Sequence, residues 1–424
     1  MTAADSHRDV HETIDAVWRI ESARLIAGLA RIVRDIGVAE ELAQDALVAA
    51  LQQWPQSGVP NNPGAWLMAT AKHRAIDHLR RNKRVEVKHE EIGRDLESRQ
   101  GAAAAEIETA MDDDVGDDLL RLIFTACHPV LSREARVALT LRVVGGLTTD
   151  EIARAFLSSE PTIAQRIVRA KRALADAGVP FEVPHGVEFH ARLSSVLDVI
   201  YLIFNEGYTA TAGNAWMRPA LCEDALRLGR ILAELTPAES EVHGLVALME
   251  IQASRFRARV SPSGEPILLL DQNRGLWDQL LIHRGLAALA RAEQTAASPG
   301  PFALQAAIAA CHARAATAEE TNWQRIVELY GKLGEINPSP IIELNRAVAV
   351  GMAFGPAAAL GLVDALSDEP LLRNYHLLSS VRGDLLEKLG RFSEARAEFE
   401  RAADLTANAR ERDLMLKRAN ATTH

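Results

Sequence analysis

A chain of 424 residues, 48% hydrophobic and only 5% aromatic, has material for about three domains of ordinary size and lacks the runs of Val, Ile and Thr that a β architecture needs. The formal net charge of -10 excludes a basic coat over the whole surface, so any contact with nucleic acid must come from local basic patches. Cys127, Cys222 and Cys311 lie too far apart for a disulfide framework, and no run of 18 apolar residues occurs, so a cytoplasmic, all-α protein without a membrane span is expected.

The polar N-terminus MTAADSHRDVHETIDAV lacks the apolar centre of a signal peptide. Residues 8–84 then read as helical, broken at 54–64 by WPQSGVPNNPG, where Pro, Gly and Asn force a loop. Before that loop, VAEELAQDALVAALQQW (38–54) is an amphipathic helix whose acidic start suits the helix dipole. After it, NPGAWLMATAKHRAIDHLRRNKR (62–84) places Trp66, Ala69, Ile76 and Leu79 on an expected buried stripe. Lys72, Arg74, Arg80, Arg81, Lys83 and Arg84 crowd the rest of that helix. Residues 85–118 are polar and acidic, end in MDDDVGDD, and read as a flexible linker. Helical pattern resumes at Leu119 and runs to Gly178, where GVPFEVPHG marks a second boundary.

Within that module, LTTDEIARAFLSSEPTIAQRIVRAKRAL (147–174) reads as two short helices and a turn. Thr148 and Glu151 form a capping box, and Ile152, Ala153, Phe156 and Leu157 make the buried stripe of the first helix. Ser159 caps the second, with Glu160 and Pro161 in its first turn. Ile163, Ile167, Ala170 and Leu174 share one face, and Gln165, Val168, Arg169 and Arg172, flanked by Arg166 and Lys171, occupy the other. An apolar floor beneath a Gln/Arg roof is what major-groove reading requires, because these side chains bond base edges in pairs while neighbouring cations neutralise phosphates.

The order of these elements resembles the extracytoplasmic-function (ECF) group of bacterial sigma-70 factors. AEELAQDALVAAL resembles the segment that grips the β′ clamp helices of RNA polymerase, which implies Leu42 and Asp45 on the polymerase-facing side. NPGAWLMATAKHRAIDHLRR resembles the regions that open and read the -10 element. The resemblance implies a base flipped into the 55–64 loop, with Asn61 and Asn62 bonding it and Arg74, Arg80, Arg81 and Arg84 tracking phosphates. The stretch from LSREARVALTLR through IVRAKRAL resembles region 4, which reads the -35 element and docks on the β flap, so Gln165, Arg166, Arg169, Lys171 and Arg172 become the -35 contacts. Leu157 and Pro161 stand where glycines are usual in the family, which puts the entry angle of the recognition helix in question. The resemblance also implies that the acidic linker runs toward the active-centre cleft, where its charge imitates nucleic acid; simple disorder explains the same composition.

Residues 187–424 form an extension that minimal members lack. Trp323, Ile326, Tyr330, Leu333 and Pro338 have the spacing of a tetratricopeptide second helix, and Phe392, Ala395, Phe399 and Ala402, preceded by Gly383 and Gly390, repeat it. Ala358, Leu362, Ala365 and Pro370 give a weaker copy. Together with YLIFNEGYTA (201–210), these repeats resemble the ECF subgroup with a long helical C-terminal domain, and stacked helix pairs of that kind present a surface to a peptide or protein. Cys127-His128 and Cys311-His312 match no zinc spacing, and His190, Glu206 and Tyr208 come without a nucleophile–base pair or phosphate loop. No metal, cofactor or catalysis is therefore expected. Three classes compete: a promoter-specificity subunit of polymerase, a one-component helix-turn-helix regulator with a repeat-built sensory domain, and an enzyme carrying a DNA-binding module. The polymerase-grip and melting-loop block upstream favours the first.

Overall fold

The computed structural model describes residues 3–89, 115–156, 158–209, 217–262 and 265–422. They are helical throughout, apart from short 3-10 turns and one isolated β-bridge between Val260 and Pro266. The chain divides into two compact units, Met1–Ile200 and Tyr201–His424.

The first unit opens with α1 (Ala3–Val33), α2 (Ile36–Ser57) and α3 (Pro63–His89). Arg34, at φ 56°, turns the chain between α1 and α2, and Asp35 caps α2 by accepting a 3.0 Å bond from the Val38 amide. Leu25, Ile26, Leu29 and Ala30 of α1 and Ala39, Ala43, Ala46 and Ala50 of α2 are buried. Small alanines let the helix axes approach closely. Trp54 is enclosed at the end of α2, with Trp66 edge-on to it at 5.4 Å. The buried stripe of α3 is Leu67, Ala71 and Ala75, a step round the helix from the expected Trp66, Ala69, Ile76 and Leu79. Ala69 is exposed and the three large residues are only half-buried, because the closely packed core has room for methyl groups and one leucine at this contact.

Next come α4 (Val115–Ala126), α5 (Arg133–Val143), α6 (Thr149–Ala155) and α7 (Glu160–Asp176). Most of the expected linker, 90–114, lies outside the described residues, but its ends do not behave as linker. Helix α3 continues through His89, and Asp117 and Asp118 sit in the first turn of α4, where carboxylates oppose the helix dipole favourably. Asp118 is buried and paired with Arg31 (3.2 Å) and Arg121 (2.6 Å). Burial raises its carboxyl group above the usual range against the pull of both arginines.

Helix α8 (Gly186–Tyr208) carries the division between the units. Leu193, Val196 and Leu197 in its first half are buried, the Arg192 guanidinium donates to the Phe124 carbonyl at 2.9 Å, and the Ser195 hydroxyl donates to the Cys127 carbonyl at 3.0 Å. The first unit therefore extends past the expected boundary at 187.

The second unit stacks α9 (Pro219–Leu235), α10 (Ser240–Ala253), α11 (Gln279–Thr295), α12 (Pro301–Arg314), α13 (Trp323–Ile336), α14 (Pro340–Phe354), α15 (Pro356–Ala365), α16 (His376–Lys388), α17 (Phe392–Leu405) and α18 (Ala409–Ala421), with successive helices packing as neighbours. Phe399 is wholly buried between α16 and α18. A methyl group on Gly383 would come within 2.8 Å of its ring, so this crossing requires glycine, and the Arg418 guanidinium lies 4.3 Å above the ring. Gly390, at φ 74°, ends α16. In α15 the buried residues are Ala359, Leu360 and Val363, whereas Ala358 and Ala365 are exposed, so the expected weaker repeat is out of register by one position.

Candidate nucleic-acid interface

The turn into α6 is fixed by local chemistry. The Thr148 hydroxyl accepts from the Glu151 amide at 3.1 Å, and the Glu151 carboxylate accepts from the Thr148 amide at 2.8 Å, closing the expected capping box. Burial pushes the Glu151 carboxyl up, but the Thr148 bonds and Arg19, 2.5 Å away, prevail and hold it below its usual value. Ser159 then accepts from the Thr162 amide at 3.3 Å, and Pro161 occupies the first turn of α7 without cost to its hydrogen bonding. Ile163, Ile167, Ala170 and Leu174 are all buried, over Ile152 and Ala153 of α6. Phe156 is half-buried, and Leu157 lies outside the described residues. Cys127 is buried against α5, its sulfur 3.3 Å from the Thr140 hydroxyl, and burial pushes its thiol up to about 11, which makes it inert.

With that floor in place, α7 presents Gln165, Val168, Arg169 and Arg172 to solvent, and Arg166 is half-buried beside them. An open groove lined by Val130, Leu131, Ser132, Thr162, Gln165 and Arg169 runs alongside. Lys171 does not join this face. Its ammonium bonds the carboxylate of Glu40 on α2, which also accepts from Arg142 Nε at 2.6 Å. Glu40 is 3% exposed. In this arrangement Lys171 serves the joint between α2, α5 and α7.

The upstream residues are placed less uniformly. Asn61 and Asn62 are exposed on the loop before α3, and the Asn62 side-chain oxygen is already engaged, accepting from the Ala65 amide at 3.1 Å as a helix cap. Arg74 pairs with Asp45 at 3.0 Å, which joins a residue expected to face DNA with one expected to face polymerase. Arg80 lies 3.9 Å from Asp77, Arg81 is exposed, and the Arg84 side chain lies outside the described residues. Leu42 is 7% exposed and packs inward, so it offers no surface to a partner. Val48, one turn beyond Asp45 and 48% exposed, is the apolar group that α2 does present. The role of Glu40 went unread in the sequence because, beside the exposed Glu41, it looks like half of an ordinary acidic surface pair and carries no local mark of its tertiary partners.

The fold and this interface define a helix-turn-helix DNA-binding protein with two basic modules in one chain. Residues 20–85 match sigma-70 region 2, residues 121–174 match sigma-70 region 4, and residues 192–293 match a family of unknown function, DUF6596. The chain is 30% identical to the ECF RNA polymerase sigma factor SigK of Mycobacterium ulcerans (strain Agy99), over 36% of this chain and 78% of that one. It is 27% identical to the probable ECF RNA polymerase sigma factor SigI of Mycobacterium tuberculosis (strain ATCC 25618 / H37Rv), over 41% of this chain and 58% of that one. An uncharacterized protein of Rhizobium meliloti (strain 1021) is similar nearly end to end, 44% identical over 91% of this chain and 90% of its own. The chain belongs to the sigma-70 family, as a sigma factor of the ECF type.

Proposed function

We propose that this sigma factor binds core RNA polymerase through α2 and directs initiation at promoters whose -35 element is read by α7 and whose -10 element is opened beside α3. The observation that carries the reading is the face of α7. Gln165, Arg169 and Arg172 stand exposed over four buried apolar residues, so the helix can enter a major groove without disturbing its own core. Arg169 and Gln165 read base edges in this account, and Arg166 and Arg172 hold phosphates. Asn61 bonds a flipped base, while Arg80, Arg81 and Arg84 neutralise the strand beside it. Work of this kind needs binding energy and strand separation, with no chemical step, and its setting is the cytoplasm.

The second unit acts on this reading as a built-in modulator of initiation with tetratricopeptide-like repeats, open to a peptide or protein partner. Support comes from the helix pair α16–α17, where Gly383 admits the Phe399 ring and Ala395 and Ala402 are buried on the same face as that ring. The test is run-off transcription with purified core polymerase, comparing the full chain with one ending at Tyr208, which keeps α8 whole. At equal polymerase occupancy the shortened chain should give less transcript. Unchanged output would remove the modulating role and leave the first unit's function intact.

A further inference from the structure

In the second unit, three arginines gather near the turn that follows α10. Two of them are committed to the fold. Arg274 donates to the carbonyls of His312 (2.6 Å) and Ala315 (2.7 Å) and to the Thr321 hydroxyl (3.0 Å), closing the end of α12. Arg259 is buried, lies 3.6 Å above the Tyr208 ring, and donates to the Tyr208 carbonyl and the Thr209 hydroxyl. Arg255 is different. Its Nη2 donates to the Tyr208 hydroxyl at 2.6 Å, but its Nε is buried without a hydrogen-bond partner.

Two neighbours share that condition. The Arg255 guanidinium carbon is 5.9 Å from the Trp277 ring centre, and Trp277, 4% exposed, has its indole nitrogen buried and unbonded. His312, 8% exposed, likewise has a buried, unbonded Nδ1. Its imidazole is held neutral, pushed down to about 4 by burial and by the nearby charges of Arg255 and Arg274. Among the described residues, neither Arg255 nor Arg274 has a carboxylate within ion-pair distance. A buried donor left unbonded keeps its full desolvation cost, and here the Arg255 Nε and the Trp277 indole nitrogen are two such donors, with the unbonded His312 Nδ1 near them, in a positive field that Glu319 and Glu320 oppose only from the side of Arg274. Nitrogen donors without acceptors, in a positive field, are what an oxyanion completes.

We propose that Arg255, Trp277 and His312 form a binding site for a small molecule carrying a carboxylate or phosphate group. Arg255 supplies the charge and a charged hydrogen bond, Trp277 and His312 supply neutral ones, and Arg259 and Arg274 fix the walls while adding to the potential. Trp277 and His312 are too deeply enclosed to meet a macromolecular surface, so the ligand is small. Arg255 and Arg274 are only half-buried, which leaves a way in from solvent.

The site is testable on the full chain without polymerase or DNA, so its failure is distinct from failure of the promoter reading. Thermal unfolding is followed against inorganic phosphate and against acetate, each compared with chloride at matched ionic strength and pH. A saturable rise in Tm with one anion and not chloride is expected, phosphate marking a phosphate-bearing ligand and acetate a carboxylate-bearing one. Trp277→Phe, which keeps the ring and removes the donor, and Arg255→Gln should each weaken that anion about tenfold or more, the worth of one such bond. Histidine-labelled NMR gives a second readout on the unaltered chain: the His312 ring signal, assigned by its loss in His312→Asn, should shift in saturable fashion. No response to either anion, or a response that persists in both variants, overturns the proposal.

Discussion

Arg169 carries the sharpest prediction at the scale of the residue. It is exposed on α7 and, among the described residues, makes no ion pair that would have to break on meeting DNA, so Arg169→Ala should cost about 1–3 kcal/mol on the preferred -35 sequence and relax preference at one or two positions. Arg172→Ala should weaken all sequences evenly and flatten the salt dependence, as loss of a phosphate contact does. Quantitative binding to a panel of -35 variants at two salt concentrations separates the two, and equal loss on every sequence from Arg169→Ala would contradict its role. Most of this face was legible beforehand, because capping boxes and helical stripes are set by residues a few positions apart. Lys171 was not. Its partner Glu40 is remote in sequence, and only packing brings them together. Phe399 is the packing counterpart: wholly enclosed, its replacement by alanine should cost about 3–5 kcal/mol in denaturant unfolding of the second unit, and the half-buried Tyr330 distinctly less. His312 adds a pH dependence. Its folded value, about 4, lies below the ordinary 6.5, so the unfolded chain takes up the proton first. Stability should fall as pH drops from 6.5 toward 4, by on the order of 3 kcal/mol in all. His312→Asn should lose that part of the slope.

At the scale of the element, the joint of α2, α5 and α7 turns on one carboxylate. Glu40 pairs with both Arg142 and Lys171 in a place nearly closed to water, so Glu40→Ala leaves two cations facing each other and should cost about 3 kcal/mol, at the lower end for a broken buried pair because both cations keep some exposure. Hydrogen exchange should then quicken in α2 and α7 together; quickening in α2 alone would mean the joint is not built on Glu40. Sequence patterning found α2, α3, α6 and α7 but not always their faces. In α3 the eye goes to Trp66 and Ile76, yet Ala71 and Ala75 make the contact, since small side chains decide how near two helices lie. In α15 the same cause, a run of near-equivalent alanines, left the register one position out. The end of the first unit was misread because GVPFEVPHG has the composition of a linker, while the residues that anchor α8, Arg192 and Ser195, bond to backbone carbonyls that no pattern reveals.

For the whole molecule, an acidic chain delivers its positive charge at two places, α3 and α7, and carries a second compact helical unit after them. On the proposed reading, this chain hands polymerase to particular promoters. The most direct test of that reading is run-off transcription by purified core RNA polymerase, with and without the full chain, on templates bearing candidate promoters selected by binding. Transcripts that begin at a fixed distance from the selected -35 and -10 elements, appear only when the chain is present, and weaken with Arg169→Ala on the preferred sequence are expected. Specific binding to duplex DNA without association with core enzyme, and no start site dependent on the chain, would contradict it.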